Sequence, residues 1–192
     1  MDRTLGSNRG LIVIDLQAGF VSERTANAAE GISELLAGEV FDPVVFTRFR
    51  NPENSPHRTI LGWDKMSTPA EYELWDGVRD RAEDVFDKPS YTAVTPEFRE
   101  RIRREGAQTV FLAGMDTDCC VLKTAVDLFE EGVRPVVLAD YCGSGGGEVS
   151  HSAGITALRR LVGRHNVLEG FRGVAALREF LEARYFGQGA GE

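Results

Sequence analysis

The chain has 192 residues, which suits one domain of ordinary size. Hydrophobic residues at 42% and charged residues at 27%, with 11 Phe, 4 Tyr and 2 Trp, allow a sizeable core without staples and exclude disordered, collagen-like and coiled-coil classes. Twenty-two Lys and Arg against 30 Asp and Glu leave a net charge of -8, so the basic footprint that a nucleic acid or an anionic membrane surface requires is missing, and neither partner is expected.

No apolar run approaches the roughly 18–20 residues of a spanning helix. The three Cys are odd in number and two are adjacent, a poor disulfide framework, so a reduced, cytoplasmic chain is expected.

In chain order, the first apolar run is the strand 11–14 (Leu-Ile-Val-Ile), followed by helical spacing over 26–36 and a second strand over 43–47. Residues 48–70 break the rhythm. They hold the Pro-rich NPENSP and Trp63, and a connection of that length reads as a lid or pocket wall. A short helix follows over 69–78, then a weak strand over 84–86. Thr95-Pro96-Glu97 opens the next helix, with Thr as N-cap, Pro at the first helical position and Gly106 near its end. Strand 109–113, the best helix 118–131, strand 134–139, helix 148–162, a weak strand 166–168 and helix 174–184 complete the alternation. The strands are apolar throughout, as central parallel strands covered on both faces are, and Pro135 must then sit where its strand begins. The reading is an α/β three-layer sandwich with a six-stranded parallel sheet, one domain over 1–192, with 185–192 as a flexible tail.

In such sheets ligands sit beyond the carboxyl ends of the strands. Asp15 and Gln17 follow the first strand, Arg48 and Phe49 the second, Lys88 the third, Gly114 to Cys120 the fourth and Asp140 to Gly147 the fifth. Asp15 either caps the following turn or pairs with a cation, because an unpaired carboxylate at the end of an apolar strand costs several kcal/mol. Lys88 before Pro89 has the setting of a solvated charge; reaching Asp15, it would make an ion pair. The thiols lie where a strand meets the best helix, where free N–H groups and a partial positive charge lower a cysteine pKa, a nearby lysine lowers it further, and an oxyanion can be bound. Helical spacing from Cys119 runs to Leu122, Val126 and Phe129, and from Cys120 to Lys123, Thr124 and Asp127. Cys119 therefore reads as packing and Cys120 as the exposed thiol, with Cys142 third.

Asp15-Leu-Gln17 with Phe20, Lys88-Pro-Ser-Tyr91, Gly114-Met-Asp-Thr-Asp-Cys-Cys-Val121 and Thr124-Ala-Val-Asp127 resemble the isochorismatase-like cysteine hydrolases, which include nicotinamidases and N-carbamoylsarcosine amidohydrolases. The resemblance implies a Rossmann-like sheet and a triad of Asp15 as general base, Lys88 as cationic partner and Cys120 as nucleophile. It also implies a cis peptide between Met115 and Asp116, and an oxyanion hole made by the backbone N–H groups of Asp116 and Cys120. Relatives of this kind commonly self-associate, so a homo-oligomer is expected. The implied reaction is hydrolysis of a C–N bond in a small amide, carbamoyl or imide-like substrate through a thioester. The alternatives are vinyl ether or ester hydrolysis using Asp15 and Lys88, and a non-catalytic pocket-bearing protein.

Nicotinamidases carry an Asp-x-His metal motif after the second strand, whereas this chain reads Arg48-Phe-Arg-Asn51, so no metal or other cofactor is expected. Gln17, Phe20, Phe49, Trp63 and Tyr91 are the candidate substrate contacts. Arg48 and Arg50 could bind a substrate carboxylate, and His151 caps, packs or touches substrate. The glycines at 143–147 lack a phosphate-loop pattern and read as a turn near the pocket.

Overall fold

The computed structural model describes residues 4–171 and 173–187. Six parallel strands form one sheet: β1 (Leu11–Ile14), β2 (Val44–Phe49), β3 (Asp84–Lys88), β4 (Thr109–Met115), β5 (Arg134–Gly143) and β6 (Val167–Leu168). Their spatial order is β3-β2-β1-β4-β5-β6. The direction of winding therefore reverses between β1 and β4, where open sheets of this order leave a crevice at the strand ends. Ile14 stands opposite Gly114 in that pair. Gly114 has φ +130, and a Cβ there would collide with the Ile14 carbonyl, so only glycine lets the two strands approach at the crevice.

The helices are α1 (Ala26–Ala37), single turns α2 (Pro56–Thr59), α3 (Pro69–Tyr72) and α4 (Asp76–Arg79), then α5 (Pro96–Glu105), α6 (Leu122–Glu130), α7 (Glu148–Leu161) and α8 (Val174–Leu181). Alternate residues of each strand feed opposite cores. Leu11 and Val13 face α1 and α8, with Ile32, Leu35 and Leu177, while Ile12 and Ile14 face α5 to α7, with Phe98, Leu128 and Leu158. Both faces are covered, which is why the strands read as unbroken apolar runs. The Thr95 side chain accepts from Phe98 N (3.2 Å) and Gly106 closes α5 in the left-handed conformation, as its sequence signals require.

Four expectations are corrected. β2 runs to Phe49, so Arg48 and Phe49 belong to the strand rather than to the loop after it. The helix expected over 69–78 is two single turns, because Leu74 makes an antiparallel bridge with Gln17 and holds the chain extended between them. The helix expected from 118 begins as a π-helical turn, Thr117–Val121, ahead of α6. Tyr185 and Phe186 pack on Phe111, at 5.3 and 5.8 Å between ring centres, so the chain stays anchored past the expected start of the tail. Residues 188–192 of that tail lie outside the described residues. Among the described residues no helix is long and apolar enough to cross a membrane.

Candidate active site

Asp15 leaves β1 in the left-handed region, φ +51, which turns its carboxylate back under the sheet edge. Thr47 of β2 grips it twice: Asp15 N donates to Thr47 Oγ1 (3.1 Å), and the Thr47 hydroxyl donates to Asp15 Oδ1 (2.6 Å). Lys88, the last residue of β3, puts Nζ 2.7 Å from Asp15 Oδ2, and both side chains are 0% exposed. The ammonium also donates to Ser90 O (2.8 Å) and Tyr91 O (3.0 Å), so a carboxylate and two backbone carbonyls surround it. Two ions closed to solvent are tolerable only in such an arrangement, since burial costs several kcal/mol per ion.

The Cys120 thiol completes the group. It interacts with Asp15 through charge and a hydrogen bond and feels the Lys88 charge. Its turn is fixed by Cys119 N and Val121 N, which both donate to Asp116 O at 3.1 Å, and the Met115–Asp116 peptide is cis. From behind, α7 presses on the turn. A Cβ at Gly154 would sit 2.8 Å from the Asp118 Cα, and His151 Nδ1 lies 2.8 Å from Thr117 Oγ1. Ser144 donates to Asp118 Oδ1 (2.7 Å) and Gly145 N to Asp116 Oδ1 (2.9 Å), so the glycine segment after β5 is a clamp on the same turn.

The roles read for the two thiols from helical spacing are reversed in exposure. Cys120 is buried, 5% exposed, and Cys119 is half-buried. The stripe Leu122, Val126 and Phe129 is not the face that meets the sheet: Phe129 is 52% exposed, and the buried residues of α6 are Thr124, Ala125 and Leu128, on the side of Cys120 and Val121. The expected low thiol pKa is corrected as well. Burial first, then the Asp15 charge, push Cys120 well above the ordinary thiol range, and Lys88 opposes without prevailing. A helix end contributes at most ~2 kcal/mol, whereas full burial shifts a group by up to about 3–5 pKa units at ~1.4 kcal/mol each. Burial wins. Cys119 is raised to about 11 by burial and by Asp118 and Asp116. Burial also works against the charge on Lys88, but Asp15 and Cys120 outweigh it and raise its pKa. The resting site thus holds a thiol and an ammonium.

In front of Cys120 opens a cavity of about 390 Å³. Phe20, Phe49, Trp63, Tyr91, Asp116 and Cys120, all singled out from sequence, line it. Asp15 and Lys88 stand behind Cys120, off the wall. Gln17 also stands apart: its amide accepts from Phe49 N (2.7 Å) and donates to Phe49 O (3.0 Å) and Tyr72 O (2.6 Å), tying the strand ends together. The segment 48–70 does form a cavity wall, held by Asn51, whose Nδ2 donates to Trp63 O (3.0 Å) and Lys65 O (2.8 Å). That wall adds Leu61 and His57, which sequence reading left without a role.

Arg48 pairs with Asp87 (2.7 Å) and Glu73 (2.8 Å), and Arg50 pairs with Asp87 (3.1 Å) and lies over the Tyr72 ring. The position of the nicotinamidase metal motif is therefore taken by two guanidinium groups already bound to carboxylates, a donor set that does not fit a metal cation. Among the described residues no cluster of three or more His, Cys, Asp or Glu is placed to hold a metal.

The isochorismatase domain matches residues 9–166, most of the chain, including the Asp15–Lys88–Cys120 group and every residue of the cavity wall named above. The chain belongs to the isochorismatase family. An isochorismatase domain-containing protein 2 from Xenopus laevis is 33% identical over 60 residues, a stretch covering 31% of this chain but only 29% of that protein. A nicotinamidase from Acinetobacter baylyi is 26% identical over 175 residues, covering 71% of this chain and 81% of the relative. Among solved structures, a cysteine hydrolase from Pseudomonas syringae superposes with a TM-score of 0.75 at 17% identity, over 93% of this chain and 95% of the other, a likeness of fold. The isochorismatase fold thus accounts for the sheet order and for the crevice in which the thiol sits.

Proposed function

We propose that this isochorismatase-family hydrolase cleaves a C–N bond of a small amide, carbamoyl or imide-like compound through a thioester on Cys120. The observation that carries the reading is the Asp15–Lys88 ion pair, both side chains closed to solvent, set directly behind a thiol at the floor of an apolar cavity. A thiol with a raised pKa needs a base at the moment of attack, and the carboxylate beside it is that base.

Asp15 takes the thiol proton as sulfur attacks the carbonyl carbon, forming the C–S bond. The carbonyl oxygen becomes an oxyanion held by the N–H groups of Asp116 and Cys120, both on the cavity wall. Collapse breaks the C–N bond, and the proton on Asp15 passes to the departing nitrogen. Water then attacks the thioester, giving its proton to Asp15, which returns it to the sulfur as the acid leaves. Lys88 transfers nothing: held by two backbone carbonyls and paired with Asp15, it fixes the carboxylate and offsets negative charge. The nicotinamidase relative supports C–N chemistry, and a cysteine is not needed for vinyl ether hydrolysis.

The test is turnover of a panel of small amides by Cys120→Ala and Cys119→Ala, with intact-mass detection of an acyl adduct. Cys120→Ala is expected to lose all measurable turnover and the adduct, and Cys119→Ala to keep most of both. Turnover surviving in Cys120→Ala sinks the thioester and favours acid–base chemistry by Asp15.

A further inference from the structure

A second cavity, about 760 Å³, opens at the amino ends of β4 and β5 and shares no lining residue with the one in front of Cys120. Its wall includes Thr109 and Arg134, the first residues of those strands, whereas Cys120 lies past the carboxyl end of β4. The seven residues of β4 put roughly 20 Å between the two, at ~3.3 Å per strand residue.

Charge marks this wall. The chain carries a net -8, yet among the described residues no Asp or Glu lines the cavity, while Arg134, Arg184 and His165 do. Burial raises the Tyr185 pKa and both guanidinium groups pull it down, so two like charges stand close to one phenol. That hydroxyl reaches His165 O only at 3.5 Å, the outer limit of a hydrogen bond. Asn166, 5% exposed on the same wall, leaves its Oδ1 without a partner within the protein. The protein's own groups therefore do not satisfy this wall, and an anion set between the two arginines would relieve their mutual repulsion.

The same residues limit the ligand. Guanidinium forks match the oxygens of carboxylates and phosphates, and two of them beside a phenol donor balance a dianion better than a monoanion. Phe129 is 52% exposed on this wall, so an apolar body attached to the anion gains by covering its ring. We infer that this cavity is a second binding site, and that it takes a small aromatic phosphate monoester. Arg134, Arg184 and the Tyr185 hydroxyl hold the phosphoryl group, and the ring lies on Phe129. The site does not depend on the chemistry at Cys120.

The experiment is calorimetry with phenyl phosphate, inorganic phosphate, benzoate and phenol at one low ionic strength, where exposed charges are least screened. Phenyl phosphate is expected to bind ~10-fold more tightly than either inorganic phosphate or benzoate, and phenol not measurably. Arg134→Gln combined with Arg184→Gln, both at exposed positions, is expected to weaken phenyl phosphate by ~10-fold or more. Phe129→Ser is expected to bring it within about twofold of inorganic phosphate. Benzoate binding as tightly as phenyl phosphate overturns the inference, and so does an absence of phenyl phosphate binding at millimolar concentration. Affinity that survives in the double variant also overturns it, since the ligand would then sit elsewhere. If the double variant fails to fold, amide resonances of the unaltered protein decide. Those of Gly132, Val133 and His165 must shift with phenyl phosphate while those of Cys119 and Cys120 stay, and the reverse pattern overturns the assignment. Binding in Cys120→Ala is expected to match that of the unaltered protein, so failure of the thioester mechanism would leave this site intact.

Discussion

Two cavities at opposite ends of the sheet differ in a way that size alone hides. The larger, about 760 Å³, opens at the amino ends of β4 and β5, where Gln108, Arg134, His165 and Arg184 line it. The smaller, about 390 Å³, opens at the carboxyl ends beside the crevice between β1 and β4. Arg134 and Arg184 are exposed, so their charges are hydrated. Behind the smaller cavity the segments leaving three strands bring a carboxylate, an ammonium and a thiol together out of reach of bulk solvent. Volume does not distinguish the two ends; desolvated charge does, because only there is the electrostatic work large enough to alter chemistry.

The largest expected effect separates the two ends by stability. Lys88→Met leaves Asp15 buried and uncompensated and should lower unfolding free energy by about 3–5 kcal/mol in urea titrations. Arg134→Met at the far cavity should change it by less than about 0.5 kcal/mol. Similar losses from both would mean that the ion pair carries no more than a hydrated surface charge. Next in size, Thr47→Val removes the hydroxyl that both accepts from Asp15 N and donates to Oδ1. We expect kcat to fall about tenfold with KM nearly unchanged, together with ~1–3 kcal/mol of stability. A change confined to KM would instead place Thr47 in substrate binding.

The same contrast explains what could be read from sequence. Asp15, Lys88 and the segment 114–121 were legible because each directly follows or ends an apolar run, and a parallel sheet sends all such positions to one edge. Trp63 was legible as wall because a large aromatic in a long connection needs a place to pack. The exposure of the two adjacent thiols was misread, since the bulkier apolar stripe Leu122, Val126 and Phe129 was taken as the buried face, whereas the smaller Thr124 and Ala125, with Leu128, let α6 lie against the sheet. Leu74 bridges Gln17 across more than fifty residues, so local periodicity joined α3 and α4 into one helix. Thr47 left a faint signal, a lone hydroxyl after Val44-Val45-Phe46 on a strand destined for burial, beside the strand that ends in Asp15. His57 left none, because an irregular segment gives no period from which to infer what its side chain meets.

The smallest expected effect compares the proposed nucleophile with a packing thiol by pH. Cys142 lies on β5, is not part of the cavity wall, and is pushed up to about 12 by burial, with a backbone hydrogen bond at Gly114 pulling slightly the other way. Its folded pKa is above that of an unfolded thiol, ~8.5, so its contribution to stability is complete below that pH and is lost as pH rises toward the folded value. Each such thiol adds a downward slope of roughly 1.4 kcal/mol per pH unit once the unfolded chain begins to ionise. Cys142→Ala should therefore flatten the alkaline limb of stability by one thiol's share between about pH 8.5 and pH 10, a window that closes before ordinary lysines are half-titrated. Turnover should be little altered. Cys120→Ala should flatten the same limb while abolishing turnover. Urea midpoints measured across that window, alongside rates, would show whether the two thiols share a pH signature but not a function. An unchanged slope in Cys142→Ala would mean that its thiol ionises as readily folded as unfolded, and that burial in this core does not raise it.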